Sequence, residues 1–318
     1  MTNMKEAVFV GIDVSKTHVD IGLGGQNLVR RFDNDAAGLR ATSDWLSDHP
    51  VALVVMEATG RLHELAARLL RTDGLAVAVV NPGRVRHFAR AQGRFAKTDR
   101  ADALVLAEYA AAMKPEAGAE RDADTQVLGL LVLRRRQLVE MLASEQNRFK
   151  SLPVIVRDDG VNKSFEAVMA SLVRTITAIE RQIDDLIMES DTFKARDRLV
   201  RSVPGIGPVT SQTLIAELPE LGRLTRRQVA SLVGLSPFSR DSGAFRGYRS
   251  IHGGRRQIRT VLYMATVAAI RFNPKIKAFY ERLKGKGKKP KVAIVACMRK
   301  MIVTLNAIVR DQKEWNVA

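Results

Sequence analysis

Residues Val8–Lys16 read VFVGIDVSK, an apolar and β-branched run that ends on a carboxylate, Asp13. Branching at this density over so few residues predicts a strand, and the near-continuous apolarity predicts a buried one. A carboxylate carried into such a strand costs free energy unless it is hydrogen-bonded, ion-paired or bound to a cation. The fold must therefore bring something to Asp13.

The neighbouring pattern says what kind of fold that is. Thr17–Gly22 and Leu28–Phe32 read as two more short strands joined by tight turns, and Asn34–Leu46 as a helix. Val51–Met56 (VALVVM) is a second buried strand and ends on Glu57. A helix follows to about Thr72, then the apolar strand Leu75–Val80, closed by Asn81-Pro82. After a basic stretch with Arg84, Arg86, Arg90 and Arg94, a further helix runs from about Thr98 to Met113. Three antiparallel strands followed by alternating strand and helix describe a ribonuclease-H-like α/β fold. In KTDRADA, Asp99 and Asp102 lie three apart and share one helical face.

A polar break at 115–124 (PEAGAERDAD) separates this region from two long helices, about 125–151 and 163–190. In the second, Phe165, Met169, Leu172, Ile176, Ile179, Ile183 and Leu186 alternate spacings of four and three. That is a heptad seam, and it predicts a coiled-coil hairpin or an oligomer contact. Residues 199–218 place apolar helical patterns on both sides of Pro204-Gly205-Ile206-Gly207, a helix-hairpin-helix pattern. Its glycines, Gly205 and Gly207, allow close approach to a phosphate, which N–H groups at a helix start can bind. Residues 234–263 read as a Gly/Ser/Arg-rich loop running into a helix, and 284–291 (KGKGKKPK) as a flexible basic linker. A last helix spans about 291–311.

Charge follows the same division. Residues 1–120 hold 15 Lys/Arg and 15 Asp/Glu; residues 121–193 hold 10 and 12; residues 194–318 hold 26 and 7, an excess of 19. The whole basic surplus lies in the last segment, which predicts a polyanionic partner, nucleic acid above all. Arg240, Arg246, Arg249, Arg255, Arg256, Lys286, Lys288 and Lys289 are the candidate contacts. One cysteine, Cys297, excludes a disulfide framework and a Cys-based zinc site and fits a reducing cytoplasm. No uninterrupted apolar run reaches the roughly 20 residues of a membrane span, so no membrane partner is expected.

The acids Asp13, Glu57, Asp99 and Asp102, gathered at one sheet edge, would repel one another unless divalent cations sit between them. Mg²⁺ takes carboxylate, water and phosphate oxygens, and a pair of such ions suits phosphoryl transfer. GIDVSK, EATG and KTDRADA resemble the three blocks of the DEDD-type insertion-sequence transposases, which include the Piv-like DNA invertases. VPGIG and GLSPFSRDSG…GGRRQIRTVLYMA resemble that family's C-terminal domain, and the blocks span the chain in order. The resemblance implies a RuvC-like domain over 1–118 whose four acids bind Mg²⁺, a coiled-coil connector over 119–193, and a mainly α C-terminal domain over 194–318 with a catalytic serine. The DSG of SRDSG makes that serine Ser242, with Ser239 and Ser250 as rivals. It implies further a bacterial, DNA-associated recombinase guided by a structured bridge RNA that pairs with target and donor DNA. Dimers would join into a tetramer, with the acids of one protomer and the serine of another forming one site. His252 is a possible proton carrier beside the serine. The alternative is a RuvC-like junction endonuclease that uses water as nucleophile. An actin-like ATPase or sugar kinase would need a second, aspartate-bearing phosphate turn, which EATG does not supply. A non-catalytic nucleic-acid-binding protein would cleave no DNA.

Overall fold

Strand β1 (Val8–Val14) lies at the centre of a five-stranded sheet. The computed structural model describes residues 7–58, 60, 62–94, 99–118, 122–152, 159–239, 241–242, 245–247 and 249–316, with the backbone alone at Asp99, Asp241, Ser242, Phe245 and Arg246. The chain divides into two compact units, Met1–Arg121 and Asp122–Ala318.

In the first unit β1 pairs antiparallel with β2 (His18–Leu23), which pairs antiparallel with β3 (Leu28–Asp33). Helix α1 (Ala36–Ser47) follows, capped by Asp35, whose carboxylate accepts from the N–H groups of Ala37 and Gly38 at 3.0 and 2.8 Å. Strand β4 (Val51–Glu57) then lies parallel to β1. Helix α2 (His63–Thr72) leads to β5 (Val77–Val80), parallel to β4. The sheet order is therefore β3-β2-β1-β4-β5. Two helices close the unit, α3 (Pro82–Ala91) and α4 (Asp99–Met113).

The strands' period of two sorts their side chains between two layers. Val10, Ile12 and Val14 of β1 pack with Leu39, Leu46, Ala66 and Leu70 on the α1–α2 side. On the other side Leu53, Val55, Ala78 and Val80 pack against Val105, Leu106 and Tyr109 of α4, with Phe9 at the margin. Asp13 and Glu57 alternate with the first set and so belong to the α4 side.

The second unit opens with α5 (Ala123–Ser151) and α6 (Asp159–Glu189). Phe149 meets Phe165 at a ring separation of 5.4 Å, and Arg135 reaches Glu180 at 2.7 Å. Early residues of α5 thus face late residues of α6, so the pair is an antiparallel hairpin. Leu128 and Val132 pack with Ile183 and Ile187 along the seam. Arg135, which breaks the apolar pattern of α5, is the cross-hairpin ion-pair partner. Helix α7 (Asp191–Arg201) and α8 (Pro208–Glu217) follow, with α8 buried from Thr210 to Ala216 on every side. Helix α9 (Arg226–Leu232) carries a capping box between Thr225 and Gln228.

Residues 234–255 differ from the expected loop. They hold two short antiparallel pairs, one nested in the other: β6 (Pro237–Phe238) with β9 (Ser250–Ile251), and β7 (Asp241–Ser242) with β8 (Phe245–Arg246). Helices α10 (Arg256–Phe272), α11 (Pro274–Gly285) and α12 (Pro290–Asp311) complete the unit. Helix α12 is long and apolar enough to cross a membrane by composition. In the fold it is a core helix, with Cys297, Met298, Ile302 and Leu305 packed against Ile258 and Leu262 of α10.

The expected flexible linker over 284–291 is corrected to a tight connection. Gly287 takes φ +74°, its N–H donates to the Lys284 carbonyl at 2.9 Å, and the Lys288 N–H donates to Leu283 at 3.1 Å. That pair of bonds is a Schellman stop for α11, and Pro290 starts α12 three residues later. The glycine is there for a left-handed turn, not for flexibility.

Candidate functional site

In the first unit strand pairing sets Asp13 and Glu57 side by side. Ile12 of β1 stands beside Met56 of β4 in the parallel register, so Asp13 and Glu57 follow at adjacent positions on the α4 side, both half-buried. Gly11 and Gly22 are cross-strand partners and form a notch in the sheet under α4. A Cβ on Gly11 would lie 2.2 Å from the Ala103 carbonyl oxygen and 2.3 Å from the Ala107 nitrogen. On Gly22 it would lie 2.8 Å from the same Ala103 oxygen. Helix α4 is thus seated directly on the sheet two residues before Asp13. Asp102, half-buried, is the residue next to Ala103, and position 99 is one turn earlier on the Ala103–Ala107 row. The Asp99 side chain lies outside the described residues. Among those described, no group of three or more His, Cys, Asp or Glu closes into a metal-holding cluster. The donor chemistry fits a hard divalent cation, since Asp13, Glu57 and Asp102 offer carboxylate oxygen only.

A fifth acid, not foreseen from the sequence, belongs to this edge. Asp20 of β2 is the direct cross-strand partner of Asp13 and is only 4% exposed. Like charges placed opposite each other are destabilising. Arg31 of β3 answers Asp20 with two hydrogen bonds, at 2.8 and 2.7 Å. The His18 ring stands 3.6 Å from the same carboxylate. Asp20 is therefore committed to Arg31, and the edge carries its own counter-charge.

In the second unit the serine-bearing hairpin rises from a pinch. A Cβ on Gly234 would lie 2.2 Å from the Gly253 carbonyl oxygen, and one on Gly254 would lie 2.3 Å from the Gly234 nitrogen. The Arg259 guanidinium donates to carbonyls on both sides of the pinch, Val233 at 3.1 Å and Gly253 at 2.5 Å. Ser242 pairs with Phe245, so residues 243 and 244 alone separate the two partners. The side chains of Ser242 and Arg246, and all of Arg240, lie outside the described residues.

The other candidate contacts divide. Arg249, Arg256, Lys286, Lys288 and Lys289 are exposed. Arg255 is engaged inside the unit: it donates to Glu220 at 2.6 and 2.5 Å and to the Glu217 carbonyl at 2.8 Å. It anchors the start of α10 to the end of α8, where a charged loop residue reads in sequence as a ligand contact. Gly205 takes φ +103°, and a Cβ on it would lie 2.6 Å from the Ala269 nitrogen, so its turn packs directly on α10. Gly207 is exposed and caps α8 without a side-chain acceptor or donor.

Comparison with known proteins agrees with both halves. Residues 10–153 match a family model described as transposase, of the IS110 DEDD type, and residues 197–281 match one described as transposase of the IS116/IS110/IS902 family. A pilin gene-inverting protein of Moraxella bovis is 26% identical over 321 aligned residues, 97% of each chain. A 43.6 kDa protein of insertion element IS110 from Streptomyces coelicolor is 26% identical, over 96% of this chain and 94% of its own. A 44.8 kDa protein of insertion element IS116 from Streptomyces clavuligerus is 24% identical over 100% of this chain and 98% of its own. With both family models matched in order along the chain, it belongs to the DEDD-type insertion-sequence transposases, enzymes that cut and rejoin DNA.

Proposed function

We propose that this protein is a Mg²⁺-dependent, RNA-guided DNA recombinase that cuts through Ser242. The observation that supports it above all is the seating of α4 on Gly11 and Gly22, next to the strands that end on Asp13 and Glu57. The sheet order, with a central β1 and its acid, supports a RuvC-like, ribonuclease-H-like first domain. The functional division is 1–118 for that domain, 119–193 for the coiled-coil connector and 194–318 for the basic serine-bearing domain with its helix-hairpin-helix.

Asp13, Glu57, Asp99 and Asp102 would hold the metal. Bound Mg²⁺ supplies Lewis acidity at the scissile phosphate and offsets the repulsion among the carboxylates. Ser242 Oγ attacks phosphorus, a base takes up its proton, and the P–O3′ bond breaks as a proton is delivered to the departing O3′. The products are a 5′-phosphoserine link and a free 3′-hydroxyl. A 3′-hydroxyl from the exchanged strand then attacks the phosphoserine, which re-forms the phosphodiester and frees the serine. Arg240, Arg246, Arg249 and Arg256 bind phosphates around the cut, while Gly207 and the lysines at 286, 288 and 289 contact DNA or the guide RNA away from it. The partners are target and donor DNA, a structured bridge RNA and further copies of the chain, dimer to tetramer, in the bacterial cytoplasm.

The test is trapping on a nicked suicide substrate with Mg²⁺. The native chain should form a covalent DNA adduct that Ser242→Ala does not. No adduct overturns the serine step and favours a junction endonuclease that uses water; an adduct undiminished in Ser242→Ala overturns Ser242 as the nucleophile and points to another side chain. Sequencing of co-purified nucleic acid tests guidance: one defined RNA supports it, and DNA alone removes it.

A further inference from the structure

We propose that the stacked rings of Phe238 and His252, at the base of the serine hairpin, form a docking site for an unstacked base of the DNA strand being cut. The rings lie 4.0 Å apart, centroid to centroid, with their planes 6° from parallel. Strand alternation puts them on the outer face. Pro237 pairs with Ile251, and Ile251 packs on the core of the second unit. Phe238 pairs with Ser250 on the opposite side of that ribbon, and His252 is two residues on from Ser250, on the same face. Phe238 is 43% exposed and His252 is exposed, so the pair turns a flat π surface to water.

Three observations choose the occupant. Arg249 and Arg256, both exposed, stand in sequence on either side of His252, within a segment whose basic excess is 19. A bare aromatic pair beside arginines is the equipment with which proteins hold single strands: rings for the bases, cations for the phosphates. Phe238 also precedes Ser242 by four residues, so their Cα atoms are no more than about 14 Å apart. At about 3.4 Å per base step that is a reach of on the order of four nucleotides. A base opened near the cut therefore falls within range of the rings. Stacking is tolerant of base identity, so the site would hold the strand without reading its sequence.

This inference rests on the recombinase reading, and the experiment separates the two. The full-length chain is titrated into a single-stranded DNA 12-mer with a central 2-aminopurine, whose fluorescence falls on stacking. Native protein should bind and quench. Phe238→Leu, which keeps apolar bulk without a ring, should bind about tenfold more weakly, about 1.4 kcal/mol, and lose the quenching. Its dependence on salt should be unchanged, because every phosphate partner is still in place. Phe238→Trp should keep both binding and quenching. If the native chain binds and Phe238→Leu matches it in affinity and quenching, the docking site is refuted and the recombinase reading stands. Failure of the native chain to bind any oligonucleotide overturns both. A native chain that binds an RNA 12-mer of the same sequence but not the DNA, or a Phe238→Leu variant whose change is in self-association, also overturns the site.

Discussion

Asp13 shows how a single residue's energetics reach into the fold. Its carboxylate stands opposite a second one, Asp20, across the strand pair, and Arg31 answers the charge of Asp20 with two hydrogen bonds. Asp20 escaped the sequence because His18-Asp20-Gly22 looks like the solvated half of an alternating strand. Its strand is covered at Gly22 by α4, which comes from about eighty residues further along the chain. If Asp13 and Asp102 hold metal rather than structure, Asp13→Asn and Asp102→Asn should leave the circular dichroism spectrum and melting temperature near native and abolish recombination. Measurable recombination in either would remove that residue from the site. Gly11→Ala works at the level of packing: with 2.2 Å to the Ala103 oxygen there is no room for a methyl group. Urea denaturation should show a loss of about 2–3 kcal/mol, and activity should fall because the acid-bearing end of α4 is pushed away. A wild-type midpoint would mean that α4 moves aside freely.

Elements were most legible where a repeat or a cap fixed them. The heptad seam of α6 names its buried side directly, and Ile183, fully buried, is central to it. Ile183→Ala should cost about 3 kcal/mol in chemical denaturation. The four strands of the serine hairpin left no such trace. Each is two residues long, too short for a period to register, and they exist because Gly234 and Gly254 touch and Arg259 ties both sides. The basic stretch after Lys284 misled for a different reason. Gly and Lys in alternation have the composition of a linker, yet Gly287 makes the left-handed turn of a helix stop. Gly287→Ala should therefore lower stability by about 1 kcal/mol, where a true linker would show no change.

At the scale of the whole molecule, charge is divided along the chain: residues 1–120 balance, and the basic surplus lies in 194–318, within the second unit. Replacing Lys286, Lys288 and Lys289 together by Gln should weaken DNA binding uniformly across sequences. It should also lower the slope of log K against log salt by about one for each phosphate no longer neutralised. An unchanged slope would place those lysines off the nucleic acid. Chelation of Mg²⁺ should abolish adduct formation while leaving the fold intact, as read by unchanged circular dichroism. The second unit's core can be followed by its one thiol. Cys297 is fully buried, and burial pushes its pKa up to about 11. A thiol reagent at pH 8 should modify it only as the unit unfolds.

The sequence by itself determined the α/β order of the first half, three of the acid-bearing segments, the helical hairpin and the basic C-terminal third. Each of these is written in local periodicity, caps or charge, which neighbours in the chain specify without help. Only the tertiary structure decided which groups meet. It set Asp20 opposite Asp13, used Arg255 as an anchor within the unit, pressed Gly205 against α10 and stacked Phe238 on His252. Those facts depend on close approach between residues far apart in the chain, and close approach is set by packing, which no local pattern records.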